Sequence, residues 1–295
     1  MREGRSLTFY LLAAFFGLYV LFLYGPMIVI FALSFQGPSG GMTFPMNGLS
    51  LHWFAKLWEG GGIVDIGAAF RRSMALGLTV TLITVVVSTL AGLAYRRKFR
   101  GSGPLFYVAI ASLIVPSIVT SLGIALMFRL FDDAVKAGPE WMSDGYTTAM
   151  GLFTSGLGAH LTWTLPFGLL IMFAIFNRFD GRLEEAARDL GASPWQTFRH
   201  VVLPLILPAL VGVGLFGFTL SWDEIARSSQ AIGSYNTLPM ELQALTTTVT
   251  TPQIYALGTT TTGVSMVVIS IALLGIALLR ARQSRRVSDA GKGLV

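Results

Sequence analysis

Glu185-Ala186-Ala187-Arg188-Asp189-Leu190-Gly191, followed after nine residues by Val201-Val202-Leu203-Pro204, lies between two long apolar runs. Local rules predict two short helices here. Asp180 suits the N-cap of the first, and Leu183, Ala186, Ala187 and Leu190 recur at helical spacing. Glu184 and Arg188 stand at i,i+4 in the favourable order, worth about 0.2–0.5 kcal/mol. Gly191 is the residue expected just past a helix end. Ser193, Pro194 and Gln196 then supply the cap, the first helical position and the capping-box partner of a second helix. Pro204 and Pro208 mark the start of the next apolar run. The small Ala186, Ala187 and Gly191 permit a partner's backbone to come close. A well-capped loop with no partner would satisfy the same local rules.

The rest of the chain sets that loop in a membrane. Of 295 residues, 53% are hydrophobic and 12% charged, and mean hydropathy is +0.67, too apolar for an ordinary soluble domain. A spanning helix needs about 20 residues. Six segments qualify, near 9–35, 73–95, 105–130, 150–176, 201–222 and 258–279. Lipid-exposed backbone must satisfy its own hydrogen bonds, so all six are expected to be helices. The first is too long for a signal-peptide core and lacks a clean cleavage site after it. Cysteine is absent, so nothing about redox compartment follows.

Charge orients the bundle. Fifteen of the 21 Lys and Arg fall in one set of loops and ends, including Arg96, Arg97, Lys98 and Arg100, the 178–199 loop and the C-terminal tail. The positive-inside rule puts that side, both termini and the Glu185 loop in the cytoplasm. Nine of the 15 acids lie on the other side. The net charge of +6 is therefore a topology signal, and no aromatic-interleaved basic surface argues for nucleic acid.

The Glu185–Pro204 stretch resembles the EAA loop of bacterial ABC-importer permeases: EAA, three residues, Gly, nine residues, an Ile-like residue, any residue, Leu-Pro. Glu185, Ala186, Ala187, Gly191, Val201, Leu203 and Pro204 occupy every fixed position, with Val201 in place of Ile. The resemblance implies an all-α integral membrane protein with six transmembrane helices, of the type I ABC-importer permease (MetI-like) architecture. It implies that this loop sits in a cleft of a separate cytoplasmic ATPase, with Glu185, Ala186, Ala187, Gly191, Leu203 and Pro204 as coupling residues. The implied partners are a second permease subunit (in a hetero- or homodimer), an ATPase dimer and a periplasmic or lipid-anchored substrate-binding protein. The implied location is the bacterial inner membrane. This chain itself has no phosphate-binding Gly-rich loop, since Gly291-Lys292-Gly293 lacks the spacing. No cofactor is expected, and ATP hydrolysis is assigned to the partner.

A second signal concerns substrate. Phe218-Thr219-Leu220-Ser221-Trp222-Asp223-Glu224, then Asn236-Thr237-Leu238-Pro239, resembles the second permease of spermidine/putrescine systems. Ile225 replaces the usual aromatic, and the Thr-rich 246–251 and 259–262 runs depart from the pattern. The resemblance makes Asp223, Glu224 and Trp222 candidates for a cation path, with Trp163, Tyr235 and Glu241 as lesser ones. Carboxylates near a membrane interior often line such paths, and aromatic faces attract ammonium groups. Both carboxylates could equally be solvated at the start of a loop. His160, Thr162 and Thr164, just before Pro166, could line the path or bond to neighbouring helices, and packing is the favoured reading.

Other classes fit less well. His52, His160 and His200 sit in unrelated contexts, and no nucleophile or metal motif accompanies them. A secondary transporter would need its own coupling-ion site and usually shows duplicated halves, and neither is visible in the sequence. A permease for an opine, phosphonate or iron complex is the serious alternative. The expected organisation is a first helix and outer amphipathic loop over 1–72, a five-helix core over 73–280 containing the 177–203 loop, and a basic, mobile tail over 281–295. Leu51–Trp58 in the outer loop, with its two tryptophans, suits a helix lying at the membrane interface, and contact with an external partner is the lesser reading.

Overall fold

Apolar length and proline placement decide where the helices run. The structure, a computed structural model, describes residues 6–59, 65–97, 99–248 and 251–292, with backbone alone beyond Leu278. In order the helices are α1 Leu7–Leu33, α2 His52–Trp58, α3 Ile66–Tyr95, α4 Ser102–Ala111, α5 Ser117–Lys136, α6 Glu140–Ser143, α7 Leu157–Asn177, α8 Arg182–Asp189, α9 Pro194–Thr197, α10 Leu203–Trp222, α11 Ser228–Ala231, α12 Leu238–Thr248 and α13 Gln253–Lys292. π-helical turns at Leu152–Gly156 and Phe198–Val202 lead into α7 and α10. Gly60, Gly61, Gly62, Lys98 and Thr250, and the side chains of the basic tail, lie outside the described residues.

Among the described residues, five helical runs are long and apolar enough to cross a membrane: 7–33, 66–95, 152–177, 194–222 and 253–278. The expected span at 105–130 is instead two helices, α4 and α5, interrupted before Pro116. Proline disfavours helical backbone in the residue before it, which accounts for the break. The helix also continues past the expected tail boundary, because α13 meets no proline after Pro252 and runs to Lys292.

The chain divides into two units, Met1–Ala68 with Glu241–Val264, and Ala69–Met240 with Ser265–Val295. In the first, the Gly-rich stretch folds around the fully buried Gln36. Its Nε2 donates to Gly41 and Thr43 carbonyls, and its Oε1 accepts from the N–H groups of Gly37 and Asn47. Trp53 in α2 is buried while Trp58 is exposed. Within α1 only Leu33 is buried.

In the second unit α3, α7 and α10 pack through small residues. A Cβ on Gly168 would stand 2.2 Å from Ser88 Oγ, and one on Gly92 would stand 2.8 Å from the Phe176 ring. Such closeness lets helices approach in lipid, where packing and hydrogen bonds replace the hydrophobic drive. Thr84 and Thr164 share a buried hydrogen bond of 2.8 Å across α3 and α7. Pro166 leaves the Thr162 carbonyl without its helical donor, and Ser112 Oγ supplies one at 2.8 Å. Met172, Phe176, Val202, Ile206 and Val213 form the core beneath the polar loop.

Candidate functional site

The polar loop is built by its caps. Asp180 accepts the Arg182 N–H at 3.0 Å, although the cap position itself falls on Gly181. At the other end of α8, Gly191 has φ +82°, a left-handed conformation that costs a residue with a Cβ about 1–2 kcal/mol. That turn lets Ala192 N–H reach the Ala187 carbonyl at 3.0 Å and Gly191 N–H reach Arg188 at 2.8 Å, a Schellman pair. Ser193 and Gln196 form the expected reciprocal capping box, and Pro194 opens α9. The helix then passes through the π-turn, where Leu203 N–H bonds to the Phe198 carbonyl. The wider turn precedes Pro204, whose ring would clash with an ordinary preceding turn.

This loop keeps its apolar groups uncovered. No α8 residue is buried, Leu190 is 89% exposed and Trp195 is 66% exposed. Glu185 and Ala186 face outward, and Ala187, Leu203 and Pro204 are half-buried. Between α8 and α9 lies a groove of about 390 Å³, lined by Ala187, Leu190, Gly191, Gln196, His200 and Val201 among others. Small residues at 187 and 191 hold it open.

Glu184 does not pair with Arg188 as expected. Its carboxylate takes both terminal nitrogens of Arg96, at 2.8 and 2.9 Å. The Arg96 side-chain hydrogen bonds hold the Glu184 carboxyl below its ordinary range, and burial opposes this. The guanidinium also lies over Phe179 and Phe176, 4.8 and 5.3 Å from the ring centres. In the sequence, nothing tied Arg96 to this loop.

The second region is less open than its sequence suggested. Trp222 is buried, with its ring 5.5 Å from Phe218 and 5.8 Å from Phe70, so it serves packing rather than a surface. Asp223, one residue on, is exposed. Glu224 is half-buried and accepts the Arg227 backbone N–H at 2.9 Å. The chain then folds back instead of leaving as a loop, placing α11 against α5 and α7. The Arg227 carbonyl accepts from Ser121 Oγ at 2.8 Å, and its Nη1 donates to Thr162 at 2.6 Å. Thr162 stands ten residues along the helical run that begins at Leu152, about 15 Å from its end. Arg227 is fully buried there, with its guanidinium over Trp163.

His160 joins this packing. Its two ring nitrogens bond Ser221 at 2.8 Å and Ser228 at 2.9 Å, and Thr164 is spent on Thr84. Asn236 and Leu238 are tied to the start of α3, through Arg72 Nε and Ser73 Oγ. Tyr235 is exposed, whereas Glu241 is buried. One clue to Arg227 was available in the sequence, where it is the only Lys or Arg between Arg199 and Arg280.

Residues 84–287 match the family described as "Binding-protein-dependent transport system inner membrane component". The spermidine/putrescine transport system permease protein PotC of Haemophilus influenzae is 33% identical over 281 residues, covering 94% of this chain and 98% of that protein. PotC of Escherichia coli K12 is 30% identical over 254 residues, covering 84% and 87%. The putrescine transport system permease protein PotI of the same strain is 28% identical over 275 residues, covering 92% of each. Among solved structures, a bacterial ABC transporter that imports alginate matches with TM-score 0.62 at 14% identity, over 93% of this chain and 95% of that one.

Proposed function

The chain belongs to the family of binding-protein-dependent transport system inner membrane components, and on that premise we propose that it forms half the membrane passage of an ATP-driven importer of spermidine and putrescine. The observation that carries the importer reading is the doubly capped loop. Its exposed Leu190 and Trp195 flank a groove that small residues keep open. Exposed apolar groups beside a preformed concavity suit a partner protein. The polyamine assignment takes its support from the names of the relatives and from the acidic Asp223 and Glu224.

The proposed organisation follows the charge distribution. Both termini and the polar loop lie in the cytoplasm of a bacterium, and the 73–280 stretch with its 177–203 loop is the working core. The partner permease completes the passage, two ATPase copies take the coupling loops, and a substrate-binding protein delivers the solute from outside. Glu185, Ala186, Ala187 and Gly191 meet the ATPase, while Leu203 and Pro204 root the loop in α10. Closure of the ATPase pair on ATP pulls this loop and swings the spans. Asp223 and Glu224 offer carboxylates to the ammonium groups of the solute, and Trp222 holds their turn from behind.

Uptake of labelled spermidine and putrescine, in cells carrying the whole system and no redundant transporter, tests this. Deleting the chain should abolish uptake, and Asp223→Asn should lower it. Glu185→Ala and Gly191→Asp should leave the protein inserted but uncouple ATP hydrolysis from uptake. Unchanged uptake on deletion would sink the polyamine reading.

A further inference from the structure

We infer that Arg96 is a positioning residue for energy coupling, clasping the coupling helix α8 to the end of α3 so that motion of the loop reaches a third span. The inference rests on the reading of 182–200 as the ATPase-docking loop. By its backbone α8 is joined only to α7, through 178–181, and to α10, through α9 and the π-turn. Helix α3 is 88 residues away from Glu184 in sequence at Arg96, and the side-chain clasp bridges that distance in space.

Several features make the clasp specific. It is the one ion pair within 4.0 Å among the described residues, in a chain with 21 basic and 15 acidic residues. Both carboxylate oxygens are engaged by separate guanidinium nitrogens, a fork that fixes orientation as well as distance. Side-chain exposures of 21% for Arg96 and 16% for Glu184 shield the pair from water. Its seat is firm. The Phe176 ring lies against Gly92, one turn before Arg96 on α3, where a Cβ would stand 2.8 Å from it. Arg96 then covers the same ring and Phe179. One guanidinium thus touches the end of α7, the end of α3 and α8 together. Glu184 is occupied by this contact, whereas its neighbour Glu185 points outward. Adjacent carboxylates on one helix therefore have different tasks, one inward to the spans and one outward to the partner.

The test uses the complete transporter in proteoliposomes, measuring labelled putrescine moved per ATP hydrolysed. Arg96→Ala and Glu184→Ala should each lower that ratio about tenfold, while the ATPase co-purifies normally. Arg96→Lys, which keeps the charge but loses the fork, should fall between. The exchange Arg96→Glu with Glu184→Arg should regain most of the wild-type ratio. An unchanged ratio in Arg96→Ala, or an inserted exchange variant as uncoupled as the single ones, overturns the inference. The exchange also decides the matter if Arg96→Ala fails to insert. Glu185→Ala and Gly191→Asp run alongside. If they uncouple and the Arg96 variants do not, the clasp alone is wrong. If they too are normal, the docking reading falls with it.

Discussion

The guanidinium carbon of Arg227 lies 4.7 Å from the centre of the Trp163 ring of α7, fully buried. A cation taken out of water needs such a face, and a desolvated cation–π contact is worth about 2 kcal/mol. Trp163→Leu should therefore lower the thermal unfolding temperature of the detergent-purified chain. In an Arg227→Met background, which removes the charge and keeps much of the volume, the same change should cost about 1–2 kcal/mol less. Additive losses in the double variant would mean that the ring only fills space.

His160 holds Ser221 of α10 and Ser228 of α11 on its two nitrogens. Replacing it with Leu strips Ser221 of that partner inside the bundle, at a cost of about 1–3 kcal/mol. Ser228 keeps its bond to the Glu224 carbonyl at 2.7 Å, so the damage should centre on Ser221. His160→Leu with Ser221→Ala should accordingly be more stable than His160→Leu alone. Thermal unfolding in detergent checks the order, and the reverse order would refute the assignment.

Gly191 should tolerate Asn better than Ala, since its φ of +82° lies where Asn is found more readily. Gly191→Ala should cost about 1–2 kcal/mol, and Ser193→Ala about 1 kcal/mol through the lost cap. Both should speed hydrogen exchange over 182–200 while leaving 203–222 protected. Equal acceleration across both stretches would show that the caps support more than the loop.

The Arg96 clasp sets a pH dependence. Its hydrogen bonds lower the Glu184 pKa from an ordinary value of 4.5. A carboxyl lowered on folding adds stability that is complete above its unfolded pKa and lost as pH falls through the folded one. The loop should therefore keep its structure through neutral and mildly acidic pH and loosen only below about 4.5. Trp195 fluorescence during acid titration reads this, and Glu184→Gln should flatten that transition. A Glu184-dependent change near pH 6 would contradict the clasp.

Much of this was legible in the residues themselves. Apolar runs longer than a bilayer, Pro116, Gly191 and the Ser193–Gln196 pair act within a few positions of their own place in the chain. Backbone sterics and helical hydrogen bonding make such signals local, so the spans, the positive φ at Gly191 and the capping box followed from sequence. The break at Pro116 was equally local and went unread, because apolar length outweighed the proline in placing that span.

Tertiary structure alone decided which distant groups met. Glu184 had Arg188 at helical spacing and took Arg96 instead, because α3 and α7 bring the guanidinium against two phenylalanine rings and away from solvent. There a forked ion pair is less screened than an exposed i,i+4 pair. Trp222 became core because Phe70 and Phe218 close on it, and Arg227 became interior because the chain folds back after α10. Burial of a side chain depends on what covers it, and the covering groups here come from helices far away in sequence.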